Sequence, residues 1–406
     1  MIEMEQNVQL PEREDLPRGA LSRISIALFL AGFATFSLVY CTQPLLPEFA
    51  AEFNVDPATS ALSLSLTTGF LAISILCAGA LSESFGRKGI MFISICGAAV
   101  LNFLASIAPS WETLLLARAL EGVVVGGVPA VAMAYLAEEM PPWRLGFAMG
   151  LYVAGNAFGG MIGRVAVGTL TEFYSWRTAL EVVSVVDLAA AIGFFFLLPA
   201  SRNFVPKKGL GIRYHFTAWK EHALSPALPA LFGIAFLVVG TFITVYNYVG
   251  FRLLAPPFNL SHSQIGLIFL SYIFGSFSSS YSGALADRVG RPPVMIAGIV
   301  FTLAGLVITL SDSLWIVVIG VVFVTVGFFG IHSVASSWVG RLARRNKSHA
   351  SSLYLLSYYV GSSVLGAAGG WFWQAGAWGA VVSFCCVMMI TVLGLALYLK
   401  TSGYGN

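Results

Sequence analysis

Five ionisable residues lie inside long apolar stretches of the first half of the chain. They are Arg118, Glu121, Arg164, Glu181 and Asp187. A charged side chain costs about 3 kcal/mol or more in such surroundings, so each one calls for a partner or a function. Arg118 and Glu121 are three residues apart and can pair on one face of a helix. A carboxylate in apolar surroundings tends to take up a proton, and a nearby arginine opposes that uptake.

Two interpretations of these five residues stay open. In the first, they form a neutral ion-pair network that locks neighbouring helices together. In the second, they are a proton-coupling site in which Glu121 and Asp187 carry the proton and Arg118 tunes them. We expect Arg164 and Glu181 to lie at the same outer-half depth as Arg118 and Glu121, with Asp187 near the middle of its helix. The alternative for Glu181 is a position at the membrane interface. A change in the distance between carboxylate and arginine would then load and release the proton.

The second half carries aromatic and polar side chains where the first half carries charges. With a few residues of the first half, they form a set of candidates for a substrate cavity: Tyr40, Gln43, Tyr152, Tyr246, Asn247, His332, Tyr354 and Tyr358. An aromatic wall with a few polar groups suits a small organic molecule, and ring faces also attract cations. The alternative is that individual tyrosines face lipid or an interface, and that His332 bonds to a neighbouring helix.

The elements that must position these residues are membrane-spanning helices. Hydrophobic residues make up 57% of the chain and charged residues 10%, whereas a soluble domain carries about 25% charged residues. The apolar runs are continuous and lack the alternation of barrel strands, so an all-α membrane protein is expected. We predict twelve transmembrane helices, called spans 1 to 12, over 24–48, 59–82, 89–109, 112–137, 145–170, 177–198, 227–254, 263–286, 292–311, 313–339, 349–374 and 378–399.

Two nearly identical loops lie half a chain apart, each between two predicted spans. They begin at Gly79 and Gly283, which are 204 residues apart in a chain of 406. The chain is therefore predicted to hold two copies of one membrane unit. The candidate residues of these repeated loops are Gly79, Glu83, Gly86, Arg87, Lys88, Gly283, Asp287, Arg288, Gly290 and Arg291.

The repeated loops have a mechanical interpretation. Their glycines allow close approach of helices, and their acids can face helix N-termini or basic partners. Their basic residues can pair with acids or lipid headgroups. Such contacts would form in one state of a rocking bundle and break in the other. The alternative is that the charges only set the topology.

Lysine and arginine set the expected orientation. With the N-terminus in the cytoplasm, 18 of the 22 basic residues and both repeated loops lie on the cytoplasmic side, as the positive-inside rule requires. Both termini are then cytoplasmic. The predicted organisation is a disordered tail over 1–22, a six-helix bundle over 23–199, a linker over 200–224, a second bundle over 225–400 and a tail over 401–406.

The pattern Gly-x-Leu-[Ala/Ser]-[Asp/Glu]-x-x-Gly-Arg of the repeated loops resembles the signature loop of the major facilitator superfamily. In span 4, Arg118-Ala-Leu-Glu121-Gly122 is similar to the family's Arg-x-x-x-Gly segment. In span 5, Gly155-Asn156-Ala-Phe-Gly159-Gly160 resembles the Gly-Pro-x-x-Gly-Gly motif of proton-driven exporters.

Further stretches at 149–156, 332–338 and 351–359 resemble YnfM-type bacterial proteins of the drug:proton antiporter group. The resemblance covers the chain after residue 22. It implies two pseudo-symmetric six-helix bundles in the bacterial inner membrane and transport by alternating access. The sequence departs from the family pattern at Glu83, where aspartate is usual, at Asn156, which replaces a proline, and at Glu121, where glutamine or an apolar residue is usual.

The sequence holds no phosphate loop, nucleophile elbow or metal-ligand spacing, so we expect neither an enzyme nor a cofactor. The expected partners of this monomer are a small-molecule substrate, protons and the lipid bilayer, with no nucleic acid. Proton-coupled efflux of a small organic compound is the first expectation. The alternative is proton-coupled or facilitated uptake of a nutrient such as a sugar, carboxylate or siderophore. A remoter alternative is a receptor that binds a ligand without moving it.

Overall fold

The computed structural model describes residues 18–204, 212–343 and 345–404. Ten helical stretches in these ranges are long and apolar enough to cross a membrane. One of them, Lys347–Thr401, has 55 residues, which corresponds to about 80 Å of helix against a hydrocarbon core of about 30 Å. Its backbone leaves helical geometry at Gly376 and Ala377, which divides it into two crossings. A further crossing, His262–Val289, is interrupted by a 3-10 turn.

Twelve crossings result, and the predicted all-helical fold with twelve spans is confirmed. The helices of spans 1 to 6 are Arg18–Tyr40 with Leu46–Glu52, Pro57–Ser60 with Leu62–Phe85, Arg87–Ser106, Trp111–Val125 with Gly127–Glu139, Pro142–Phe173, and Trp176–Leu197. The helices of spans 7 to 12 are Leu228–Leu254, His262–Leu267 with Tyr272–Val289, Arg291–Ile308, Leu314–Leu342, and the two parts of Lys347–Thr401.

Three segments differ from the expectation: the two terminal segments and the linker. The first helix begins at Arg18, inside the segment predicted as a disordered tail, of which residues 1–17 lie outside the described residues. The segment predicted as a linker contains a helix, Ile212–Ala223. This linker helix forms because His215 and Trp219 pack their rings against His349 at the start of span 11. At the other end, helix continues to Thr401.

The same packing occurs in both halves, which supports the predicted duplication. Gly159 of span 5 lies directly against the backbone of Phe33 in span 1. Gly361 of span 11 lies in the same way against the backbone of Phe236 in span 7. A Cβ at either glycine would collide with backbone, so only glycine permits these helix contacts. Spans 1 and 5 thus correspond to spans 7 and 11.

The two bundles meet in the half of the molecule away from the repeated loops. We call that half the far end and the other the loop end. Hydrogen bonds between the bundles join Ser363 to the Ser65 carbonyl at 2.6 Å, and Gln374 to Asp56 at 2.6 Å. Glu172 also accepts from the Ser263 backbone at 2.8 Å. Within the described ranges, all hydrogen bonds and ion pairs between the bundles belong to the far half.

At the loop end, by contrast, facing helix surfaces stand apart. A Cβ added to Gly79 in span 2, or to Gly146 or Gly150 in span 5, would meet no atom within 4 Å. The close helix approach expected at Gly79 is therefore absent in this conformation, and Gly283 meets only the Ser333 hydroxyl of its own bundle, at 3.3 Å. The prediction of close approach is therefore wrong for Gly79 in this state, whereas Gly283 of span 8 lies close to Ser333 of span 10. Among the described residues, the contacts between the bundles thus lie at the far end, and open space lies beside Gly79, Gly146 and Gly150 at the loop end.

Candidate functional site

Each repeated loop turns on a glycine in the left-handed region of backbone space. Gly86 has φ +90° and Gly290 has φ +89°. Each residue ends one helix and immediately precedes the next. Side chains strain this conformation, so both positions require glycine. The sequence similarity of the two loops is thus matched by the same backbone geometry.

The two loops differ in how they are tied to their bundles. Arg87 forms a fork with Glu138 in span 4, with N···O distances of 2.6 and 3.2 Å, and also donates to Ser82. Its counterpart Arg291 meets Asp287, one turn earlier, at 3.3 Å. The first loop is therefore fastened to another span, whereas no ion pair among the described residues fastens the second loop to one. Sequence reasoning missed Glu138, whose only signal was an acid at the end of a span.

The other loop candidates occupy the surface of the loop end. The ammonium of Lys88 lies 4.4 Å from the centroid of the Phe195 ring, and Arg288 is exposed. The side chain of Glu83 lies outside the described residues.

A charge cluster made of Arg118, Glu121 and Asp187 is buried in the first bundle. All three side chains are fully inaccessible to solvent. Arg118 donates to one oxygen of Glu121 at 2.6 Å. Its remaining donors go to the backbone carbonyls of Leu38, Val39 and Ser63 and to the side chain of Asn102. The arginine is therefore saturated by a single carboxylate and by protein carbonyls.

The two carboxylates of this cluster are underpaired. The second oxygen of Glu121 and both oxygens of Asp187 have no donor in hydrogen-bonding geometry. Asp187 lies near Glu121 and next to the Ser37 hydroxyl. One positive charge thus serves two buried carboxylates. Two such groups in a dry interior repel each other, and a proton on one of them removes the excess charge.

Asn102 of span 3 connects the charge cluster to span 6. Its carbonyl oxygen accepts from Arg118 at 3.1 Å and from the Cys41 thiol at 3.4 Å. Its amide nitrogen donates to Ser184 at 2.9 Å. Sequence analysis missed this residue, although a lone asparagine in an apolar span was a signal. Asn102 fixes the arginine relative to the span that carries Asp187.

Arg164 and Glu181 do not join this cluster by contact. Glu181 is half-buried and, within the described ranges, forms no ion pair. Arg164 of span 5 is 1% exposed. It donates to the side chain of Gln43 at 2.7 Å and to the Gly160 carbonyl at 2.5 Å. Similar depth in the membrane did not bring these residues together, because Arg164 faces span 1 and the second bundle.

A polar crossing joins the two bundles beside Arg164. Gln43 of span 1 donates to Asn247 of span 7 at 2.7 Å. The guanidinium carbon of Arg164 lies 4.3 Å from the centroid of the Tyr40 ring, and 5.1 and 5.0 Å from those of Phe269 and Tyr272. Three predicted cavity residues, Tyr40, Gln43 and Asn247, therefore converge at the bundle interface. Phe269 and Tyr272 of span 8 were not predicted.

A second group of predicted residues lines a pocket in the second bundle. The hydroxyl of Tyr354 lies 2.9 Å from Nδ1 of His332. The ring centroids of Tyr358 and His332 are 5.0 Å apart, and Phe328 stacks on His332. We call these four residues the tyrosine pocket. Aliphatic side chains of spans 7 and 10 complete its wall.

The remaining cavity candidates and the span 5 motif are placed elsewhere. The hydroxyl of Tyr246 bonds Ser271 and Thr325 inside the second bundle, while its ring stacks on Phe269 at 5.2 Å; its role in a cavity stays a prediction. Tyr152 is buried on span 5. Asn156 lies against Gly32 of span 1 with an unpaired amide oxygen. The glycines of the motif serve the contact between spans 5 and 1: Gly155, Gly159 and Gly160.

Comparison with known proteins agrees with this architecture. A family model described as Major Facilitator Superfamily matches residues 28–256 and 239–404. The chain is 45% identical over 380 residues to the uncharacterized MFS-type transporter YybF of Bacillus subtilis, covering 94% of each protein. It is 44% identical over 371 residues to the inner membrane transport protein YnfM of Escherichia coli, covering 91% of this chain and 89% of YnfM.

A solved structure shares the fold at low sequence identity. It is a bacterial homologue of the human lysosomal transporter Spinster, with a TM-score of 0.75, 15% identity, and coverage of 96% of this chain and 97% of that one. The family match extends over nearly the whole chain, and two relatives exceed 40% identity over most of it. This twelve-span membrane transporter therefore belongs to the major facilitator superfamily.

Proposed function

We propose that the protein is a proton-coupled secondary transporter that exports a small organic compound by alternating access. The charge cluster carries this proposal. Arg118 forms an ion pair with one of two carboxylates that are buried together. The cluster therefore holds one excess negative charge until a proton binds. A structural lock would instead balance its charges through direct pairs. Glu121 and Asp187 share the proton, and Arg118 sets how readily it leaves.

The contacts of Arg118 link the proton to the motion of the bundles. Two of its acceptors, the carbonyls of Leu38 and Val39, lie at the end of the first helix of span 1. That helix ends at Tyr40, and Gln43 immediately beyond it bonds the second bundle. A movement of span 1 would change the distance between Arg118 and the carboxylates. Proton affinity would then differ between the two states, which is the condition for coupling.

The orientation follows from the basic residues. The repeated loops and both termini are placed in the cytoplasm, by the positive-inside rule. The loop end then faces the cytoplasm, and the open space beside Gly79, Gly146 and Gly150 supports our proposal of an inward-open state of a monomer in the inner membrane. The far-end contacts between the bundles, such as that of Gln374 with Asp56, would break in the outward-open state.

Two features bear on direction. Export is supported by the resemblance of 155–160 to the exporter motif and by the packing of its glycines on span 1. Proton-coupled uptake is the second candidate. It is favoured by Arg164. A proton would cancel the excess negative charge of the charge cluster, and an anionic nutrient would cancel the positive charge of Arg164. Flux measurements with gradients of both signs separate the two directions.

Flux in proteoliposomes tests the proposal. Compounds are first selected by thermal stabilisation of the purified protein, and their flux is then driven by an imposed pH gradient. Glu121→Gln and Asp187→Asn are expected to abolish gradient-driven flux and to retain exchange of substrate across the membrane without a gradient. Glu112→Gln, on the exposed side of span 4, is the matched control. If both cluster variants keep gradient-driven flux, proton coupling at this cluster is wrong. Binding without flux under any gradient would instead identify a receptor.

A further inference from the structure

Arg164 is a buried cation without an acidic partner. Only 1% of the residue is exposed, and no carboxylate of the described residues comes within ion-pairing distance of its guanidinium. Arg118, which is fully buried in span 4, pairs by contrast with Glu121 at 2.6 Å. Burying an arginine without a counter-charge is unfavourable, so its retention needs an explanation beyond packing.

The described contacts of Arg164 leave hydrogen-bond donors unused. A guanidinium carries five N–H groups. One goes to Gln43 and one to the Gly160 carbonyl of its own helix. Among the described residues, no acceptor is bonded to its Nη2 nitrogen. Arginine without its full set of acceptors is prepared for a planar anion such as a carboxylate or phosphate, which it can bind with two parallel hydrogen bonds.

The surroundings of Arg164 come from both bundles. Tyr40 and Gln43 belong to span 1, whereas Phe269 and Tyr272 belong to span 8. The ring faces hold the positive charge in a dry site without neutralising it. A ligand bound here would touch both moving parts of the transporter. That position at the bundle interface is where a transported substrate must be recognised.

Building on the transport function proposed above, we propose that the substrate is an organic acid whose anionic group binds Arg164. The anionic group takes the unused guanidinium donors, and the apolar body of the acid lies against the rings of Tyr40 and Tyr272. Neutral analogues would leave the cation unpaired and would bind weakly. Organic cations would be repelled. The charge of this site therefore selects against cationic drugs.

Matched pairs of acids and amides test this assignment. Purified full-length protein is heated with benzoate or benzamide, succinate or succinamide, and phenylphosphate or phenol, and the melting temperature is recorded. At least one acid is expected to stabilise the protein, and its amide or alcohol partner is not. Arg164→Gln is expected to weaken acid binding by about 10- to 100-fold. Arg164→Lys, which keeps the charge but loses the fork, is expected to bind with intermediate affinity.

The control is Arg177→Gln, which removes an arginine that pairs with Glu52 on the surface of the far end. The melting temperature without ligand provides a second readout. Removing an uncompensated cation is expected to leave it unchanged or raise it, whereas a structural lock would lose stability. If Arg164→Gln folds poorly, the comparison of Arg164→Lys with the native protein still decides acid selectivity.

The outcomes separate this assignment from the transport function. Acid-selective stabilisation that depends on Arg164 supports the site even if no flux is found. Gradient-driven flux of a neutral or cationic compound that is unaffected by Arg164→Gln overturns the organic-acid assignment and leaves transport intact. The absence of any acid-selective, Arg164-dependent shift across the panel also overturns it.

Discussion

The two bundles share one fold and differ in their interiors. The first bundle buries the charge cluster, whose three side chains are fully inaccessible. The second bundle presents the tyrosine pocket, where His332 and Tyr354 share a hydrogen bond of 2.9 Å. Packing between spans 1 and 5 is repeated between spans 7 and 11 by glycines at corresponding positions, Gly159 and Gly361. The backbone is therefore symmetric and the chemistry is not.

This difference separates two tasks that a coupled transporter must perform. Symmetric backbone packing suits a rocking motion, because both halves present the same kind of interface. Under the proposed function, the charge cluster of the first bundle carries the proton. The second bundle, through Tyr272 and the tyrosine pocket, contributes most of the aromatic surface for the ligand. Arg164 and Gln43, at the interface, touch both. Substitutions in each bundle test that division.

The largest effect is expected from Arg118→Leu. The substitution leaves Glu121 and Asp187 without a cation and frees the carbonyls of Leu38 and Val39. Removing one partner of a buried ion pair lowers the free energy of unfolding by about 3–5 kcal/mol. Thermal unfolding in detergent measures the loss. Arg177→Leu, at a pair in which both side chains are 36% exposed, is expected to cost about 1 kcal/mol or less. Equal losses in the two variants would show that the buried cluster contributes no more to stability than an exposed ion pair.

A smaller effect is expected from the tyrosine pocket. Tyr354→Phe removes the hydroxyl that bonds His332. We expect the KM for substrate to rise about 3- to 10-fold, as the loss of one hydrogen bond implies, while the ratio of protons to substrate stays constant. Substrate flux and proton flux are measured in the same proteoliposomes. A changed ratio would show that the second bundle also handles the proton.

The repeated loops allow a direct comparison of equivalent positions. Glu138→Gln weakens the fork with Arg87, whereas Asp287→Asn weakens a single contact with Arg291 at 3.3 Å. We expect the turnover rate to fall about threefold in the first variant, since glutamine still accepts from Arg87 and only about 0.7 kcal/mol of the charge-assisted strength is lost. We expect a smaller fall in the second variant. Turnover at equal insertion is the measurement. A larger effect of Asp287→Asn would show that the second loop, and not the first, is held more tightly to its bundle.

The smallest effect is expected at the far end. Asp56 caps a short helix and accepts from Gln374 across the interface at 2.6 Å. Slight burial raises the pKa of Asp56, but hydrogen bonds from Thr59 and Ala58 outweigh it and lower the pKa below its usual value. The stabilisation from the charged form is thus complete above about pH 4 and is lost as pH falls through the lowered pKa.

Closure of the far end is therefore expected to be constant between about pH 5 and 8. Asp56→Ala is expected to reduce the closed population about twofold to fivefold, from the loss of the hydrogen bond that crosses the interface. Spin labels on either side of the interface report this population. Closure that changes between pH 5 and 8 in the native protein would show that another contact controls it, such as that between His262 and Glu48 at 3.5 Å.

Local signals in the sequence predicted most of the fold. Long apolar runs located the spans, and the duplicated loops located the two halves. The break at Gly376 and Ala377 lies between the predicted spans 11 and 12. The linker helix was not predicted, because it depends on ring contacts with a distant residue, His349. Spacing of three residues predicted the pair of Arg118 and Glu121, since one helix turn determines it.

The composition of the site was harder to predict. Depth in the membrane grouped Arg164 with the acids, but the direction in which a side chain points depends on helix rotation, which depth does not report. Asn102 and Glu138 were missed for a related reason. Each bonds to a residue on another span, and spacing along the chain says nothing about such contacts. The structure supplies the relative rotation of the spans and so separates the charge cluster from Arg164.

Infrared difference spectroscopy tests the central claim most directly. A protonated carboxyl group has its own C=O stretching band, and a buried one is distinguishable from surface acids by its position and titration. We predict one buried carboxyl band in the native protein that disappears as pH rises. It is expected to be lost in Asp187→Asn or Glu121→Gln and kept in Tyr354→Phe and Glu112→Gln. A native protein without such a band, or a band that survives in both cluster variants, would contradict the assignment of the proton to the first bundle.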